Sequence, residues 1–358
     1  MPTLHLRVAL PSLLFSAALA VAVVVTGSAS AAAPERQRPN APQRVPKAIF
    51  SSPLISASEL HTLLLPSRRS PTAPAVTVLD TRELLQADNK TPNFEAGHIP
   101  GALPLPYSLL RGPKDNPGRP PELAQLQALL QPLGLNLHTP IVLTGSGSDP
   151  TEFGAVARSY WTLKSVGFTR LAILNGGFGA WLASKYPVEK GSARTVTANK
   201  ALQLTPHASL RLSVSTQTVN ELRLASEPAL FVDARPEDFF MGQLRHSAAA
   251  RWGTLPNAQH FDSEEWFTPN TGRLPGLKEL RAIAQAEGFL QKKPQVAFCN
   301  TGHWAATHWF IVSELLGQDQ VRLYPESTIA WSQAGLPMDN EPSRAVALLR
   351  QAQGKGVQ

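Results

Sequence analysis

The sequence predicts an α/β protein built from two consecutive domains, each a mainly parallel sheet covered by helices. From about residue 54 to 340, short apolar runs typical of buried strands alternate with segments of helical periodicity. The series of elements occurs twice, because Gly167 and Trp181 recur 150 positions later as Gly317 and Trp331. A repeated strand–helix unit predicts two domains of one fold. With 358 residues, 43% of them hydrophobic, the chain is long enough for both domains to bury a core.

The first copy is predicted to hold four strands and four helices. Short apolar runs indicate the strands, and apolar residues at helical spacing indicate the helices. The first strand ends in Asp80-Thr81-Arg82, and a Gly/Pro turn at 97–102 precedes the second. The strands are 76–79, 103–105, 140–144 and 171–174, and the helices are 59–65, 123–133, the segment around 156–166 and the one that begins at 176.

A linker at 191–209, rich in Thr, Ala and Lys, leads to the second copy. Its first strand ends in Asp233-Ala234-Arg235, 153 positions after the equivalent segment of the first copy, and a turn follows at 253–258. The tail after Asn340 is expected to form a loosely attached helix. The strands are 229–232, 296–298 and 321–324, and the helices are 216–224, 277–287, 305–316 and 327–334.

The N-terminal residues predict export. Residues 1–33 combine a basic start, an apolar run and small residues in an Ala-x-Ala pattern, which is typical of a secretory signal peptide. The mature protein is then periplasmic or secreted, without stable membrane association, and 34–53 form a Pro-rich flexible segment. The alternative is an uncleaved anchor, since the run 8–25 is about long enough to span a bilayer.

Composition argues against several functions. The net charge of +7 is not gathered into Lys/Arg runs or basic–aromatic patches, so nucleic-acid binding is not expected. Cys299 and His303 offer too few ligands at a useful spacing for a metal site. We therefore expect neither a metal nor another cofactor.

The single cysteine is the strongest candidate for chemistry. In an exported protein, an unpaired cysteine is a candidate reactive thiol. Cys299 follows the apolar run 296–298 and opens a loop, 299–304, before a helix, where free N–H groups and the helix dipole suit an anion. A thiol there is expected to ionise more easily and to act as a nucleophile. This requires a sulfur that is open to solvent and faces the loop N–H groups; the alternative is an inert, buried cysteine.

Four motifs together resemble the rhodanese family. They are the Asp-x-Arg strand ends, the GHIPGA turn at 97–102, the cysteine loop and the Gly-Gly-x-x-Ala-Trp segment at 176–181. The tandem arrangement over residues 54–340 is similar to that of thiosulfate and 3-mercaptopyruvate sulfurtransferases. The resemblance implies five-stranded sheets, an inactive domain at 54–190, a catalytic domain at 210–342 and a tail at 343–358.

The resemblance also implies residue roles. Cys299 would carry sulfur as a persulfide between a small donor, thiosulfate or a mercaptopyruvate-like compound, and cyanide, a thiol or a protein thiol. The strand-end pairs Asp80/Arg82 and Asp233/Arg235 would be structural supports. His303 either donates to an anionic group of the donor or is a solvated loop residue, while Trp304 and Trp309 either line the pocket or, for Trp309, belong to the core. The substrate-binding residues in the loop would be Asn300, Thr301, Gly302, His303 and Trp304. Arg245 and Arg251 are added as substrate-binding residues because, with His246, they lie just before the turn at 253–258 and would supply the positive charge that the loop lacks.

The sequence departs from the family pattern in ways that leave the donor open. The stretch 236–240 lacks the Arg of donor-specific members, the loop has no Arg or Lys, and the second turn reads GTLPNA. Ala305 stands where phosphatases of this fold need an Arg, so phosphoryl chemistry is not expected. Two alternatives to a sulfurtransferase stay open, namely a non-catalytic sulfane-sulfur carrier that serves a partner protein and an interaction domain with an inert Cys299.

Overall fold

A computed structural model of the protein describes residues 49–65, 76–86, 89–206, 212–354 and 356–358. The predicted signal peptide, 1–33, and the Pro-rich segment up to residue 48 lie outside the described residues. None of the helices within the described ranges is long and apolar enough to cross a membrane.

The first domain is a five-stranded parallel sheet covered by helices. Its strand order is β1-β5-β4-β2-β3. The strands are β1 (Leu54–Ile55), β2 (Thr77–Asp80), β3 (Leu103–Pro104), β4 (Ile141–Thr144) and β5 (Leu171–Leu174). The helices are α1 (Ala57–Leu64), α2 (Asn93–Ala96), α3 (Leu123–Leu130), α4 (Pro150–Ser165) and α5 (Gly177–Ala183), with 3₁₀ turns at Tyr107–Leu110 and Gln131–Leu133.

The second domain repeats this arrangement with a four-stranded parallel sheet of order β7-β6-β8-β9. The strands are β6 (Leu230–Asp233), β7 (Gln259–His260), β8 (Gln295–Phe298) and β9 (Val321–Leu323). The helices are α6 (Thr216–Leu224), α7 (Glu237–Phe240), α8 (Leu277–Ala286), α9 (Trp304–Trp309), α10 (Ser327–Gln333) and α11 (Arg344–Ala352), with a 3₁₀ turn at Ser263–Trp266 and a π-helical turn at Phe310–Leu315.

The predicted fold class is confirmed, but the count of five strands is wrong for the second sheet. Beside β9, where β1 lies in the first domain, a single bridge joins Ser213 to Leu323. The N–H of Val214 donates to Leu323 and the N–H of Leu323 donates to Leu212, so the fifth position is occupied without forming a strand. The unpredicted elements β1, β7, α2 and α7 have two or four residues, too few for a periodicity to appear.

One hydrophobic core runs through both domains and joins them across α4 and α9. Helix α4 is capped by Asp149, whose carboxylate accepts from the N–H of Glu152 at 2.9 Å. Every side chain from Phe153 to Leu163 is buried, which is unusual because most helices keep one face in solvent. The rings of Phe153 and Tyr160 pack edge-on against Phe310. Helix α4 therefore lies directly against the segment that follows the cysteine loop.

The C-terminal tail is held more firmly than the expected loose helix. Helix α11 buries none of its residues, but the segment after it pairs with 245–247. The N–H of Ser247 donates to Gln358 at 2.8 Å, and the N–H of Gln358 donates to Arg245 at 3.0 Å. This pairing brings Gln358 to the edge of the cysteine site.

Candidate active site

The sheet places Cys299 at the carboxyl end of β8, between β6 and β9. The four residues of β8 are buried, and the strand stops where Cys299 begins the loop to α9. In the parallel pairing, Asp233 at the end of β6 lies opposite Phe298. The ends of parallel strands are where ligands bind in such sheets. In the first domain Gly145 follows β4 in the equivalent position, so that domain has no thiol there.

A buried ion pair connects β6 to the cysteine loop. Arg235 binds the Asp233 carboxylate at 2.6 Å, and donates to Gly253 at 2.9 Å and to the Asn300 side-chain oxygen at 3.2 Å. Thr328 also donates to that Asn300 oxygen. Both members of the ion pair are almost fully buried, so removing one leaves an uncompensated charge. The pair thus fixes one side of the loop as well as the strand end.

The same ion pair is present in the first domain. Arg82 binds Asp80 at 2.5 Å and donates to Gly97 at 2.8 Å. The two domains therefore share the Asp-x-Arg device, but only the copy in the second domain reaches a cysteine loop.

Ser327, at the start of α10, fixes the cysteine loop through its hydroxyl group. Its hydroxyl accepts from the N–H groups of Cys299 at 3.0 Å and Gly302 at 3.1 Å, and donates to Tyr324 at 2.7 Å. The residue is fully buried and has a φ of +52°, which is costly for a side chain with a Cβ. The first-domain counterpart is Gly177, with a φ of +54°. A serine in a glycine conformation at this point indicates that its hydroxyl is needed.

We expect Ser327→Ala to destabilise the protein by about 2–4 kcal/mol, because two buried N–H groups lose their acceptor. Ser327→Gly loses the same hydroxyl but relieves the positive φ, so it should be about 1 kcal/mol more stable than the alanine variant. Denaturant unfolding of the two variants and the wild type measures both differences. Unchanged stability in both would mean that the hydroxyl does not hold the loop.

The loop presents a set of unused donors. The main-chain N–H groups of Asn300, Thr301, His303 and Trp304 have no hydrogen-bond acceptor anywhere in the described part of the chain. Unpaired backbone donors gathered in one short turn suit an anion. None of these four N–H groups bonds the Cys299 sulfur, so the expectation that the sulfur faces them is not met in this conformation. The arrangement can bind a small anion.

The expectation of an open sulfur is wrong for this conformation. Cys299 is 0% exposed, and it lies within the core shared by the two domains. Neighbouring loop residues, not Cys299 itself, line the nearest cavity. The burial of Cys299 agrees with the alternative interpretation of a buried cysteine, and the shared core includes residues of both domains. A donor can reach the sulfur only after a side chain or the loop moves.

The cavity above the loop has a volume of about 370 Å³ and draws its walls from both domains. Its lining includes one cation, Arg111, and two aromatic side chains, Phe239 and Trp304, and none of the lining residues is an Asp or Glu. The lining residues are Arg111, Phe239, His246, Ser247, Asn300, Thr301, His303, Trp304 and Gln358. A cavity with arginine, free N–H groups and two aromatic rings favours a small anion with some apolar surface.

His303 is bonded to the first domain and fits neither of the two predicted roles. Its Nε2 donates to the carbonyl of Thr151 at 2.8 Å, and its Nδ1 accepts from the Tyr107 hydroxyl at 3.1 Å. Burial, together with the nearby Arg111 charge, lowers the pKa of His303 to about 4. At neutral pH the ring is therefore uncharged and joins the domains.

The indole of Trp304 donates to Thr151 and lines the cavity, whereas Trp309 is fully buried in the core.

The structure does not bring Arg245 and Arg251 to the loop. Arg245 donates to the Ala249 carbonyl at 2.6 Å and stacks on Trp252, while Arg251 forms an ion pair with Glu341 at 2.6 Å. Neither lines the cavity. Their assignment as substrate-binding residues is therefore not supported, and the cations close to the loop are Arg111 and Arg158 of the first domain. Among the described residues, no cluster of three His, Cys, Asp or Glu side chains is placed to hold a metal ion.

Comparison with known proteins identifies the family. The profile described as "Rhodanese-like domain" matches residues 67–184 and 216–334. The chain belongs to this family. It is 27% identical over 260 residues to a putative thiosulfate sulfurtransferase of Synechococcus elongatus, covering 69% of this chain and 77% of the relative. It is 25% identical over 285 residues to the 3-mercaptopyruvate sulfurtransferase of Escherichia coli, covering 74% and 92%.

A solved structure shares the rhodanese-like fold. The anaerobic ergothioneine biosynthesis enzyme from Chlorobium limicola, in complex with trimethyl histidine, superposes with a TM-score of 0.69 over 80% of this chain and 69% of that one. The sequence identity is 18%, so this likeness concerns the fold alone. The relatives place the chain among sulfurtransferases and leave its donor open.

Sequence reasoning missed seven residues of this rhodanese-like site. Three belong to the first domain, and contacts between domains leave no periodic trace in a sequence. Ser327 had a signal, because aligning the two copies places it opposite a glycine. The missed residues are Tyr107, Arg111, Arg158, Phe239, Ser247, Ser327 and Gln358.

Proposed function

We propose that the protein is a sulfurtransferase that carries sulfur on Cys299 as a persulfide, from a small anionic donor to a thiophilic acceptor. The observation that carries this is the placement of the chain's single thiol, in a rhodanese-like domain, at the start of a loop in which four N–H groups lack an acceptor within the described residues. Such donors would stabilise negative charge on a sulfur that turns towards them.

The first step transfers one sulfur atom. The Cys299 thiolate attacks the outer sulfur of thiosulfate, an S–S bond forms, and the original S–S bond breaks to release sulfite. With a mercaptopyruvate-like donor, a C–S bond breaks instead and the proton of its thiol ends on carbon, giving the keto acid. Cyanide then attacks the outer sulfur of the persulfide, which releases thiocyanate and restores the thiolate.

The cavity favours thiosulfate or a mercaptopyruvate-like donor without choosing between them. Arg111 supplies a positive charge, and Phe239 and Trp304 pack edge-on with ring centroids 5.9 Å apart. The guanidinium suits sulfonate or carboxylate oxygens, and the rings suit a small carbon skeleton. Because Cys299 is covered, a side chain or the loop has to move before either donor reaches the sulfur.

Intact-mass spectrometry tests the proposal. We expect incubation with thiosulfate or 3-mercaptopyruvate to add ~32 Da, one sulfur atom, to the wild type and nothing to Cys299→Ser. The serine variant should unfold within about 2 kcal/mol of the wild type, since it exchanges one small buried group for another.

The same experiment separates the alternatives. With cyanide present, an enzyme releases thiocyanate over many turnovers, whereas a sulfane-sulfur carrier loads once and stops. No mass gain from either donor, with the protein folded, would contradict the proposal and favour an inert Cys299.

A further inference from the structure

Arg158 is a buried cation of the first domain that contacts the cysteine loop of the second domain. It lies in the middle of α4 and is 2% exposed. One terminal nitrogen approaches the carbonyls of Thr301 and Gly302, each at 3.5 Å, and the other donates to Gly118 at 2.8 Å. Its plane stacks on Trp161, with 4.7 Å from the guanidinium carbon to the ring centre.

These contacts leave the charge of Arg158 uncompensated. Its acceptors are neutral carbonyls, and its buried Nε has no partner within the described residues. No carboxylate in the described ranges forms an ion pair with it, since Glu326 instead pairs with Arg119 and accepts from Asn116. Buried cations are normally paired, because an isolated charge in the interior costs several kcal/mol.

The groups around Arg158 narrow the search for the missing anion. Burial lowers the pKa of the Arg158 guanidinium to about 10, and nearby negative charge opposes this decrease. The groups whose charge acts on it are Tyr107, Arg111, Cys299 and Glu326. Burial raises the pKa of Tyr107, so this phenol stays neutral at pH 7. Glu326 is occupied elsewhere and Arg111 is a cation, which leaves the Cys299 sulfur.

We propose that Arg158 is the counter-cation of the Cys299 sulfur, so that the cysteine-free domain supplies the positive charge that the cysteine loop itself lacks. The role of Arg158 depends on the proposed function only because that function assigns a reaction to Cys299. Thiolate and persulfide both carry one negative charge, and a fixed guanidinium stabilises either. The carbonyls that Arg158 contacts belong to the second and third residues after Cys299, so the guanidinium lies against the cysteine loop.

The thiolate titration tests the proposal without any sulfur donor. Cys299 is the single cysteine, so the absorbance at 240 nm that is lost in Cys299→Ser reports one group. We expect Arg158→Met to move the midpoint upward by at least about one pH unit, a tenfold change in the ionisation constant. Arg158→Lys, which keeps the charge, should stay within half a unit of the wild type. An unchanged midpoint in folded Arg158→Met would overturn the proposal.

A second comparison covers the case in which Arg158→Met does not fold. Cys299→Asp places a carboxyl group at the sulfur position, and Cys299→Asn is its neutral match. With Arg158 present, the aspartate variant should have a urea midpoint at pH 7 equal to or above that of the asparagine variant. A clearly lower midpoint for the aspartate would show that no cation serves this position. If these variants do not behave as expected but the wild type still gains a sulfur atom from a donor, the role of Arg158 is rejected and the sulfurtransferase proposal stands. If the variants behave as expected but the wild type gains no sulfur, the sulfurtransferase proposal is rejected and the role of Arg158 stands.

Discussion

Gly302→Ala should lower sulfur transfer by about 100-fold or more and destabilise the protein by about 3 kcal/mol. Gly302 has a φ of +66°, which costs an L-residue roughly 1–2 kcal/mol. A Cβ would also collide with the Arg158 guanidinium and lie 2.7 Å from the carbonyl oxygen of Pro325. The Pro325 atom belongs to the main chain and the Arg158 side chain is buried, so neither can move aside unless the loop moves as well. Displacements of about 1 Å at reacting groups cost about 100-fold in rate.

Gly317→Ala is the matched control for this change. Gly317 has a φ of +76° and ends the same helical segment, but nothing lies within 4 Å of the position of its Cβ. It should lose only about 1 kcal/mol, from backbone strain, and keep full transfer activity. Steady-state thiocyanate formation and denaturant unfolding measure both variants. Equal losses in the two would show that strain, and not crowding at the cysteine loop, explains the effect.

The sequence was sufficient for the features that repeat along the chain. The strand–helix alternation and the 150-residue offset between Trp181 and Trp331 predicted two α/β domains, and the two indoles make the same bond, to Pro187 and Pro337, each at 2.7 Å. Such features are local in the chain and occur twice, so a single sequence displays them. The family motifs then added the activity class.

The sequence was insufficient where the site depends on the packing of one domain on the other. The sequence predicted the positive charge from Arg245 and Arg251, in the same domain as Cys299, whereas the cations close to the loop are Arg111 and Arg158 of the first domain. The sequence left burial of Cys299 open as an alternative, and in the structure Cys299 belongs to a core that includes residues of both domains. Contacts between residues more than 100 positions apart leave no pattern in a single sequence.

A second large effect is expected from acid, and it comes from His308. This residue of α9 is fully buried among Phe261, Trp266 and Phe289, and neither ring nitrogen has a hydrogen-bond partner among the described residues. Burial lowers the pKa of His308 to about 3, from an ordinary value of 6.5. The neutral ring belongs to the folded state and the unfolded chain binds the proton more readily, so the contribution to stability is present above pH 6.5. It is lost as the pH falls towards 3.

At pH 4.5 this linkage should cost the wild type about 2–3 kcal/mol relative to pH 7, because each pH unit below 6.5 costs about 1.4 kcal/mol. His308→Leu keeps a similar volume without a titrating group, so its free energy of unfolding should fall less by that amount over the same range. Replacing the exposed His138 by Leu is the control and should leave the wild-type slope unchanged. Urea unfolding of the three proteins at pH 7, 5.5 and 4.5 measures the slopes. Parallel slopes for wild type and His308→Leu would mean that the ring takes up its proton as readily in the folded protein as in the unfolded chain. The cage of three aromatic rings would then have to open in acid, together with the helix that leads from the cysteine loop.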